Sequence, residues 1–480
     1  MTMHLPSMVV AALVAVPLIW PGARTQAPAA ASQYEKILSS AYKADQPGAA
    51  ALVAKGDEIV FRGAAGMADL ELGVPLAPDM VFEIGSITKQ FTAAAIMLLS
   101  EEGKLAVSDA ITRHLTSYPS YGQNITVEHL LTHTSGIVSY TGIPGYMASK
   151  VRNDVTVQQL IDVFKDLPVE FAPGERYAYS NSGYILLGAI VEAASGMRYE
   201  DFVRTRFFEP LGMKTAYYGC STCIIPRRAS GYDGGPDRFT NQRYLSFTQP
   251  YAAGSLMMTV NDLHHWTRAL FGGKVVSAAS LKRMTTPYVL KNGESTGYGY
   301  GLGITNIRGR RAIRHGGGIF GFATNALYLP EQDVFVAVFA NSAGGGIDPG
   351  MPASKLAALA VGDPFPEFTE ITLTEEVLRP YVGVYEINKD NRRTVTLRDG
   401  ALYTQRTGGA QTRAYAASPT RFFYRTSLSY FDFVVENDRV TAMVMYQDGS
   451  KEGERAVKVA DKVPAIRAII GADMTSAGVR

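Results

Sequence analysis

The stretch that decides the fold is Gly85-Ser86-Ile87-Thr88-Lys89, which leads into an apolar run. That run, from Ile87 to Leu99, predicts a buried helix that ends near Gly103. Because residues three apart share a helix face, the side chains of Ser86 and Lys89 can meet. A serine at a helix N-terminus also lies at the positive end of the dipole, beside N–H groups that have no partner in the helix. Both features favour a serine nucleophile and a stabilised oxyanion.

A lysine must be neutral to act as a base. Its ordinary pKa is about 10.4, so neutrality near pH 7 requires about 4.6 kcal/mol from desolvation and positive neighbours. The spacing alone is weak evidence, because Ser40-Ala41-Tyr42-Lys43 repeats it. We interpret that second copy as a solvated face of an N-terminal helix. The motif at Ser86 therefore needs support from other residues.

Two later motifs provide that support. Tyr179-Ser180-Asn181 stands before a helix predicted over 184–194. A tyrosine beside a lysine can relay protons to a leaving group, and an asparagine amide can hold the lysine or a substrate carbonyl. His315-Gly316-Gly317-Gly318 opens a predicted strand hairpin over 324–329 and 334–340. Its glycines let a substrate backbone approach the strand edge.

The order Ser-x-x-Lys, Tyr-x-Asn, His-x-Gly resembles the penicillin-binding-protein and class C β-lactamase superfamily of serine hydrolases. Five flanking stretches resemble it as well: 82–86, 130–136, 173–181, 210–213 and 253–256. The resemblance covers about residues 34–343 and implies an α+β fold of the β-lactamase/transpeptidase type, an antiparallel sheet flanked by helices. A further hairpin predicted over 50–54 and 58–63, with helices between strands from both chain ends, suggests the same architecture.

The resemblance also implies roles for single residues. Ser86 is the acylated nucleophile, and Lys89 with Tyr179 forms its proton-transfer partner. The expected substrate-binding residues are Asn181, His315, Gly316 and Gly317, and the expected oxyanion hole consists of the backbone N–H groups of Ser86 and Gly318. No metal ion and no organic cofactor is implied.

His315 is a departure from the penicillin-binding pattern, which usually has the lysine of Lys-Thr-Gly at this position. A histidine is mostly neutral at pH 7, which weakens the case for penicillin-type substrates. The superfamily's esterases and D-amino-acid peptidases often look like this His-Gly-Gly version. We therefore expect an acyl-enzyme mechanism on amide or ester bonds, in D-residue peptides or carboxylic esters.

Two alternative functions stay open. One is a β-lactamase or DD-carboxypeptidase that turns over β-lactams or cell-wall peptides. The other is a non-catalytic peptide- or peptidoglycan-binding protein, although Ser86, Lys89 and Tyr179 are all present. Expected partners are a small-molecule or peptide substrate, with β-lactams as a further candidate.

Two clusters have plainer interpretations. His129 and His133 lie four residues apart, as metal ligands on a helix do, but no glutamate directly follows His129 as in His-Glu-x-x-His. We interpret the pair as structural. The arginines before His315, at positions 308, 310, 311 and 314, are expected in a solvated turn. The alternative is that Arg314 or a neighbour supplies the cation that His315 lacks.

Composition and charge limit the class of protein and its partners. The chain has 480 residues, 46% of them hydrophobic and 19% charged, which is typical of a globular protein with two or three domains. The net charge of +2 gives no electrostatic reason to expect a nucleic-acid partner.

The predicted organisation has five parts: a signal peptide (1–27), the serine hydrolase domain (32–345), a linker rich in Gly, Pro and Ala (346–375), a small all-β domain resembling a lipocalin-like barrel (376–461) and a tail (462–480). The signal peptide is predicted from the apolar run Met8–Trp20, and an uncleaved anchor is the alternative. Cleavage implies an exported protein, periplasmic or secreted, without a stable membrane anchor. In such a protein Cys220 and Cys223 can close a local disulfide, with free thiols as the alternative.

Overall fold

The computed structural model describes residues 28–235, 237–344 and 348–461. The predicted signal peptide and tail lie outside these ranges and stay predictions. Within them, no helix is both long and apolar enough to cross a membrane.

The α-helices are α1 Pro28–Ala41, α2 Thr88–Glu101, α3 Val127–Leu131, α4 Tyr146–Ser149, α5 Val157–Asp162, α6 Asn181–Ser195, α7 Tyr199–Val203, α8 Tyr251–Gly254, α9 Val260–Phe271, α10 Ala278–Met284, α11 Gly350–Ala360 and α12 Glu375–Leu378. The strands that precede α11 are β1 Ala49–Lys55, β2 Glu58–Ala65, β3 Met67–Asp69, β4 Val74–Pro75, β5 Phe82–Glu83, β6 Tyr217–Tyr218, β7 Tyr232–Gly235, β8 Arg238–Asn241, β9 Leu256–Met258, β10 Gly303–Ile307, β11 Arg310–Ile319, β12 Phe322–Leu329, β13 Val334–Ala340 and β14 Ser342–Ala343. The strands that follow α12 are β15 Gly383–Glu386, β16 Arg392–Arg398, β17 Ala401–Arg406, β18 Thr412–Arg413, β19 Tyr415–Ala416, β20 Arg421–Phe423, β21 Tyr430–Glu436, β22 Arg439–Tyr446 and β23 Glu454–Ala460.

Six antiparallel strands form the central sheet in the order β10-β11-β12-β13-β1-β2. Strand β1 comes early in the chain but pairs with β13, with Leu52 opposite Ala337. This pairing joins the two predicted hairpins, β1–β2 and β12–β13, into one sheet. The predicted antiparallel sheet flanked by helices is confirmed.

The sheet has a core on each face, because successive residues of a strand point to opposite sides. From β1, Leu52 packs into the larger core, which contains the apolar side chains of α2, α6 and α9. Its neighbour Val53 packs into the smaller core, with residues of α1 and α11. Both side chains are fully buried. The larger core holds the helix that begins beside Ser86.

The segment predicted as a linker, residues 346–375, is interrupted by α11. This helix packs on the sheet, and its Leu356 and Ala357 are fully buried in the smaller core. The Gly, Pro and Ala content suggested a linker, but small side chains also allow a helix to approach a sheet closely. Helix α11 therefore extends the first domain, and the connection to the second domain begins after it.

The predicted small all-β domain is a nine-stranded antiparallel sheet, ordered β18-β17-β16-β15-β23-β22-β21-β20-β19. It curls into a nearly closed barrel, and its two outer strands are neighbours in sequence. Aromatic side chains fill the interior, where Tyr381 stacks on Phe433 with ring centroids 4.2 Å apart. The interior is therefore a packed core, as barrels of this size favour.

Charged groups join the two domains. Asp363, just after α11, pairs with Arg308 at 3.0 Å, with Arg310 at 2.9 Å and with Lys451 of the β-domain at 2.7 Å. Arg308 also donates to the Gly449 carbonyl of that domain. The arginine-rich turn was expected to be solvated. Arg311 and Arg314 are exposed, as expected, but only 9% of the Arg308 side chain is exposed. The charges of Arg308 and Arg310 are instead used at the domain junction.

Candidate active site

Ser86 lies at the start of the buried helix, as predicted. A 3-10 turn, Gly85–Ile87, leads directly into α2, and Lys89 follows in the first turn of that helix. The Lys89 Nζ is 3.0 Å from the Ser86 Oγ. The spacing of three residues thus produces the expected contact.

Lys89 is completely buried and makes two more contacts. Its Nζ is 2.8 Å from the Asn181 Oδ1 and 2.8 Å from the Ala253 carbonyl oxygen of α8. Neither oxygen can donate, so both accept hydrogens from Lys89. A neutral amine has two hydrogens, and these contacts use both of them. Its lone pair is then left for the third neighbour, the Ser86 hydroxyl.

Burial lowers the pKa of Lys89 well below its usual value. Two aromatic rings lie near the Nζ, Tyr179 at 4.9 Å and Tyr184 at 5.4 Å from their centroids. Such rings attract a cation, but the fully buried position disfavours the charged form more strongly. The neutral amine that catalysis requires is thus the form that this environment favours.

Asn181 is held in one orientation from both ends of its amide. Its Oδ1 accepts from Lys89, its Nδ2 donates to the Thr141 Oγ1 at 3.0 Å, and its backbone N–H donates to the Ser139 Oγ at 3.1 Å. Ser180 caps α6 by accepting from the Gly183 N–H. Of the two partners considered for Asn181, a lysine or a substrate carbonyl, the structure shows the lysine.

Tyr179 completes the group around Ser86. Burial raises the pKa of its hydroxyl, and a hydrogen bond with the Ser86 side chain partly offsets that rise. The phenol therefore stays protonated at neutral pH, although 39% of the residue's surface is exposed. A protonated phenol beside the nucleophile can donate a proton.

His133 supports Tyr179 and is not arranged as a metal ligand. Its ring lies 4.2 Å from that of Tyr179 between centroids, and its Nδ1 accepts from the Ser180 N–H at 3.1 Å. His129 instead accepts from the Thr126 N–H and caps α3. In the part of the chain that the structure describes, no group of His, Cys, Asp or Glu is placed to hold a metal ion.

Two glycines allow the Ser86 turn to lie against β11. Gly85 has a φ of +51°, and a Cβ there would be 3.0 Å from the Gly318 nitrogen. At Gly317 a Cβ would be 2.0 Å from the Ile84 carbonyl oxygen. This close approach explains glycine at 317 without a substrate contact. Gly316, by contrast, has room for a side chain, with its nearest neighbours at 3.6 Å.

Gly318 lies at the open edge of β11. Ile319 and Phe322 face each other across the two-residue turn that joins β11 to β12, and Gly318 faces Ala323. Because the pairs of an antiparallel ladder alternate, the N–H of Gly318 points away from β12. Strand β10 pairs only with residues 310–314, so it does not cover this edge. The Gly318 N–H thus lies on the Ser86 side of the strand.

His315 has protein partners on both ring nitrogens. The Nε2 lies 2.8 Å from the Tyr298 hydroxyl and the Nδ1 2.6 Å from the Gly316 carbonyl oxygen. Burial lowers its pKa to about 3, so it is neutral at pH 7, as expected. The ring was predicted to bind substrate, but neither nitrogen is free to do so. Tyr298 carries no motif that would have linked it to His315.

A cavity of about 480 Å³ opens beside Ser86. Asn181 and Gly318 line it together with Ser86. The rest of its wall is largely apolar and includes Met147, Leu245, Ile319, Phe320 and Phe322. These residues come from separate segments, and no sequence pattern connects them. Arg314 is exposed and outside this wall, so it does not supply the cation considered for it.

The two cysteines form a disulfide, Cys220–Cys223, as one of the two alternatives predicted. The loop that contains it lines a different cavity, beside α7. Its place in the structure therefore gives it no contact with the cleft at Ser86.

Comparison with known proteins gives consistent matches. A family model described as Beta-lactamase matches residues 30–360. Penicillin-binding protein 4* of Bacillus subtilis is 30% identical over 427 residues, which cover 84% of this chain and 93% of that protein. The octameric penicillin-binding protein homologue from Pyrococcus abyssi has a TM-score of 0.62 at 27% identity, covering 90% of this chain and 99% of that one. D-amino acid amidase from Ochrobactrum anthropi, complexed with D-phenylalanine, has a TM-score of 0.61 at 26% identity, covering 70% of this chain and 99% of that one.

Proposed function

This chain belongs to the β-lactamase family of serine hydrolases, and from that membership we propose that it cleaves amide bonds next to a D-configured residue through an acyl-enzyme on Ser86. The observation that carries the proposal is the environment of the Lys89 Nζ. Two carbonyl oxygens occupy its hydrogens, and the Ser86 hydroxyl is its third neighbour.

Acylation begins with proton transfer from the Ser86 Oγ to the neutral Lys89 amine. The Oγ then bonds to the substrate carbonyl carbon, and the carbonyl oxygen becomes negative. The N–H groups of Ser86 and Gly318 stabilise that charge, since preorganised donors cost no reorganisation during the reaction.

Departure of the amine requires a proton donor, and Tyr179 has the protonated phenol for it. When the C–N bond breaks, the phenol gives its proton to the leaving nitrogen. Lys89, by then an ammonium group, restores that proton. The acyl-enzyme and a neutral amine remain.

Deacylation uses the same pair in reverse. A water molecule gives a proton to the Tyr179 oxygen while the phenol passes its own proton to the neutral Lys89 amine, and the water oxygen attacks the ester carbonyl. The C–Oγ bond breaks, and Ser86 regains its proton from Lys89. One water is consumed for each amide bond, and both side chains return to their initial states.

The cleft supports an apolar, uncharged residue on the acyl side. Its wall carries Phe320, Phe322 and Met147, and His315 adds no positive charge. The similar amidase from Ochrobactrum anthropi has been solved with D- and with L-phenylalanine, which favours an aromatic residue, and its name and that of the D-aminopeptidase relative favour the D configuration. We therefore expect D-phenylalanine amide to be a better substrate than its L-isomer.

β-Lactam turnover is a second candidate, because a relative that covers most of the chain is named a penicillin-binding protein. The neutral His315 argues for slow acylation by penicillins, whose carboxylate has no lysine to meet at this position. A substrate panel separates the two candidates.

We also propose that the protein is exported. The disulfide between Cys220 and Cys223 supports this, because disulfides persist in oxidising compartments. Fractionation of expressing cells, with mass measurement of the mature N-terminus, tests the export and the predicted signal peptide together.

The decisive experiment is a rate panel of D-phenylalanine amide, L-phenylalanine amide, p-nitrophenyl butyrate and nitrocefin, with intact-mass detection of the acyl-enzyme. We expect the D-amide to have the highest kcat/KM and a covalent adduct on Ser86. Equal rates for both isomers would contradict the D-specificity. Binding without an adduct or turnover would indicate the non-catalytic alternative.

A further inference from the structure

Helix α8 turns the carbonyl groups of two successive residues toward α2. The Ala253 carbonyl accepts from the Lys89 Nζ at 2.8 Å, and the Ala252 carbonyl accepts from the Thr92 Oγ1 at 2.6 Å. The last carbonyl groups of a helix have no partner within it, so both depend on donors from another segment. Lys89 and Thr92 are three residues apart and therefore share the face of α2 that meets α8.

We propose that Thr92 is a positioning residue for the Lys89 base. Its hydroxyl holds α8 where the Ala253 carbonyl takes one hydrogen of the amine, so that the lone pair of the amine faces Ser86. The proposal rests on the proposed function, because that function assigns Lys89 as the base. It goes beyond that function by making the reactivity of Lys89 depend on a fully buried residue that does not line the cleft.

The hydrogen bonds at Thr92 have a defined direction. Its hydroxyl has one hydrogen, which goes to the Ala252 carbonyl because a carbonyl oxygen can only accept. The Tyr199 hydroxyl, 2.7 Å from the Thr92 Oγ1, is therefore the donor to Thr92. Burial raises the pKa of Tyr199, which keeps this phenol protonated. All three residues are fully buried, so removing one group leaves its partner without a replacement from solvent.

Helix α8 needs this support because it is short and its first residue is strained. It has four residues, and Tyr251 at its start has a φ of +40°, which bulky side chains rarely adopt. Such a conformation persists only where the surrounding contacts hold it in place. The carbonyls of Ala252 and Ala253 belong to adjacent peptide groups, so a shift of the first reorients the second. The bond from Thr92 to Ala252 thus sets the contact between Ala253 and Lys89.

The titratable side chains that face Lys89 are neutral near pH 7. Burial raises the pKa values of Tyr179 and Tyr184, whose rings lie beside the Nζ. Burial lowers the pKa values of His133 and His315, which also lie near Lys89. A change in the acid limb of the pH profile near neutrality therefore reports Lys89.

The test is Thr92→Val, which keeps the shape of the side chain and removes the hydroxyl. We expect kcat for D-phenylalanine amide to fall about ten-fold, because the lone pair of Lys89 loses its orientation, and KM to stay unchanged. The Ala253 carbonyl also stabilises the ammonium form. Its displacement should move the acid limb of kcat/KM down by roughly half a pH unit to one pH unit.

Two variants separate positioning from a general effect on stability. Thr92→Ser retains the hydroxyl and should restore both kcat and the acid limb. Thr267→Val is the matched control, because Thr267 is also buried and its hydroxyl donates to the Leu263 carbonyl at 2.8 Å within α9. It should lower the unfolding temperature and leave kcat and the acid limb unchanged.

A lower unfolding temperature in Thr92→Val with an unchanged kcat and acid limb would show that Thr92 only supports the core. A rise in KM at constant kcat would show an effect on substrate binding. Either result overturns the proposal. If Thr92→Val does not fold, Tyr199→Phe decides, since it removes the donor to Thr92. We expect about a three-fold loss of kcat and a shift of the acid limb in the same direction, and an unchanged profile overturns the proposal.

Failure of the proposed function is recognised separately. It fails if the wild type cleaves neither D-phenylalanine amide nor p-nitrophenyl butyrate and a fluorophosphonate does not label Ser86. The positioning is then decided by NMR titration of protein containing lysine labelled with carbon-13 at Cε, in which the Lys89 signal is the one lost in Lys89→Met. A lower pKa of Lys89 in Thr92→Val than in the wild type and Thr267→Val supports the proposal, and equal values overturn it.

Discussion

The four-residue pattern Ser-x-x-Lys occurs twice in this molecule, in different surroundings. Ser40 is in the last turn of α1 and Lys43 follows the end of that helix, and both residues are exposed. Ser86 instead precedes the first turn of α2, and Lys89 is completely buried. The two serines thus lie at opposite ends of a helix dipole, Ser40 at the negative end and Ser86 at the positive end.

The Ser-x-x-Lys spacing by itself only allows the two side chains to come close to each other. Reactivity at Ser86 depends on burial of Lys89, which disfavours its charged form, and on two carbonyl acceptors that orient its lone pair. Lys43 has neither. A scan for Ser-x-x-Lys cannot separate the two copies, whereas the burial of the helix that follows can.

The largest expected effect is the difference in activity between variants of Ser86 and of Ser40. Ser86→Ala removes the nucleophile, and we expect kcat/KM for D-phenylalanine amide to fall by roughly 10⁵-fold, as losses of a nucleophile do. Ser40→Ala should leave the rate unchanged. Labelling with a fluorophosphonate probe checks both variants, and full labelling of Ser86→Ala would sink the assignment.

The next largest expected effect is the difference in activity between variants of Lys89 and of Lys43. Lys89→Met removes the base but keeps an apolar side chain of similar length, and we expect roughly a 10³-fold loss in kcat. Lys43→Met should retain full activity. If both variants lost the same fraction of activity, the comparison between the two motifs would fail.

The two lysine variants should also differ in how their stability depends on pH. The pKa of Lys89 is lower in the folded protein than in the unfolded chain, so between those two values the unfolded chain binds one proton more. The free energy of unfolding should therefore rise with pH in that window, by at most about 1.4 kcal/mol per pH unit. Urea unfolding at pH 7, 8 and 9 should show a smaller rise in Lys89→Met and an unchanged one in Lys43→Met.

The fold was largely predictable because its signals are local. The alternating and apolar patterns of β1, β2, β12 and β13 and the apolar run of α2 are short-range features, and the structure confirms them. Helix α11 was missed, because its Gly, Pro and Ala content also fits a linker. What distinguishes it is burial against the sheet, which depends on strands far away in the sequence.

The site was predictable only in part, for the same reason. Motifs located Ser86, Lys89, Tyr179 and Asn181, which the structure brings together. The partners that set their chemistry, such as the Ala253 carbonyl and Thr141, arise from packing between distant segments. Arg308 illustrates the converse, because its nearness to His315 in sequence suggested a role in the cleft, whereas its ion pair is with Asp363.

A charge placed next to Lys89 should make its environment less favourable to the neutral amine. Asn181→Asp puts a carboxylate where an amide oxygen lies 2.8 Å from the Nζ. An opposite charge at that distance raises the pKa of the lysine, so we expect the acid limb of the kcat/KM profile to move up by roughly one to two pH units. The rate should fall most at low pH and recover as the pH rises.

The control for that variant is Asn292→Asp, in an exposed turn, which should leave the profile in place. A loss of rate that is equal at every pH would show that Asn181 positions a substrate rather than Lys89.

The smallest effect should come from His315, which belongs to the buried surroundings that the Ser40 copy lacks. Its pKa is lowered from an ordinary value near 6.5 to about 3, so below pH 6.5 the unfolded chain binds a proton that the folded protein does not. The free energy of unfolding should therefore fall as the pH falls through this range. Between pH 7 and pH 5, one such group accounts for about 2 kcal/mol.

His315→Gln, which can still pair with Tyr298, should reduce the measured fall by that amount in urea titrations at the two pH values. The control variant His265→Gln, at an exposed position, should not reduce it. An undiminished fall in His315→Gln would mean that this ring is protonated in the folded state, and the neutral His-Gly-Gly strand would lose its part in selecting uncharged substrates.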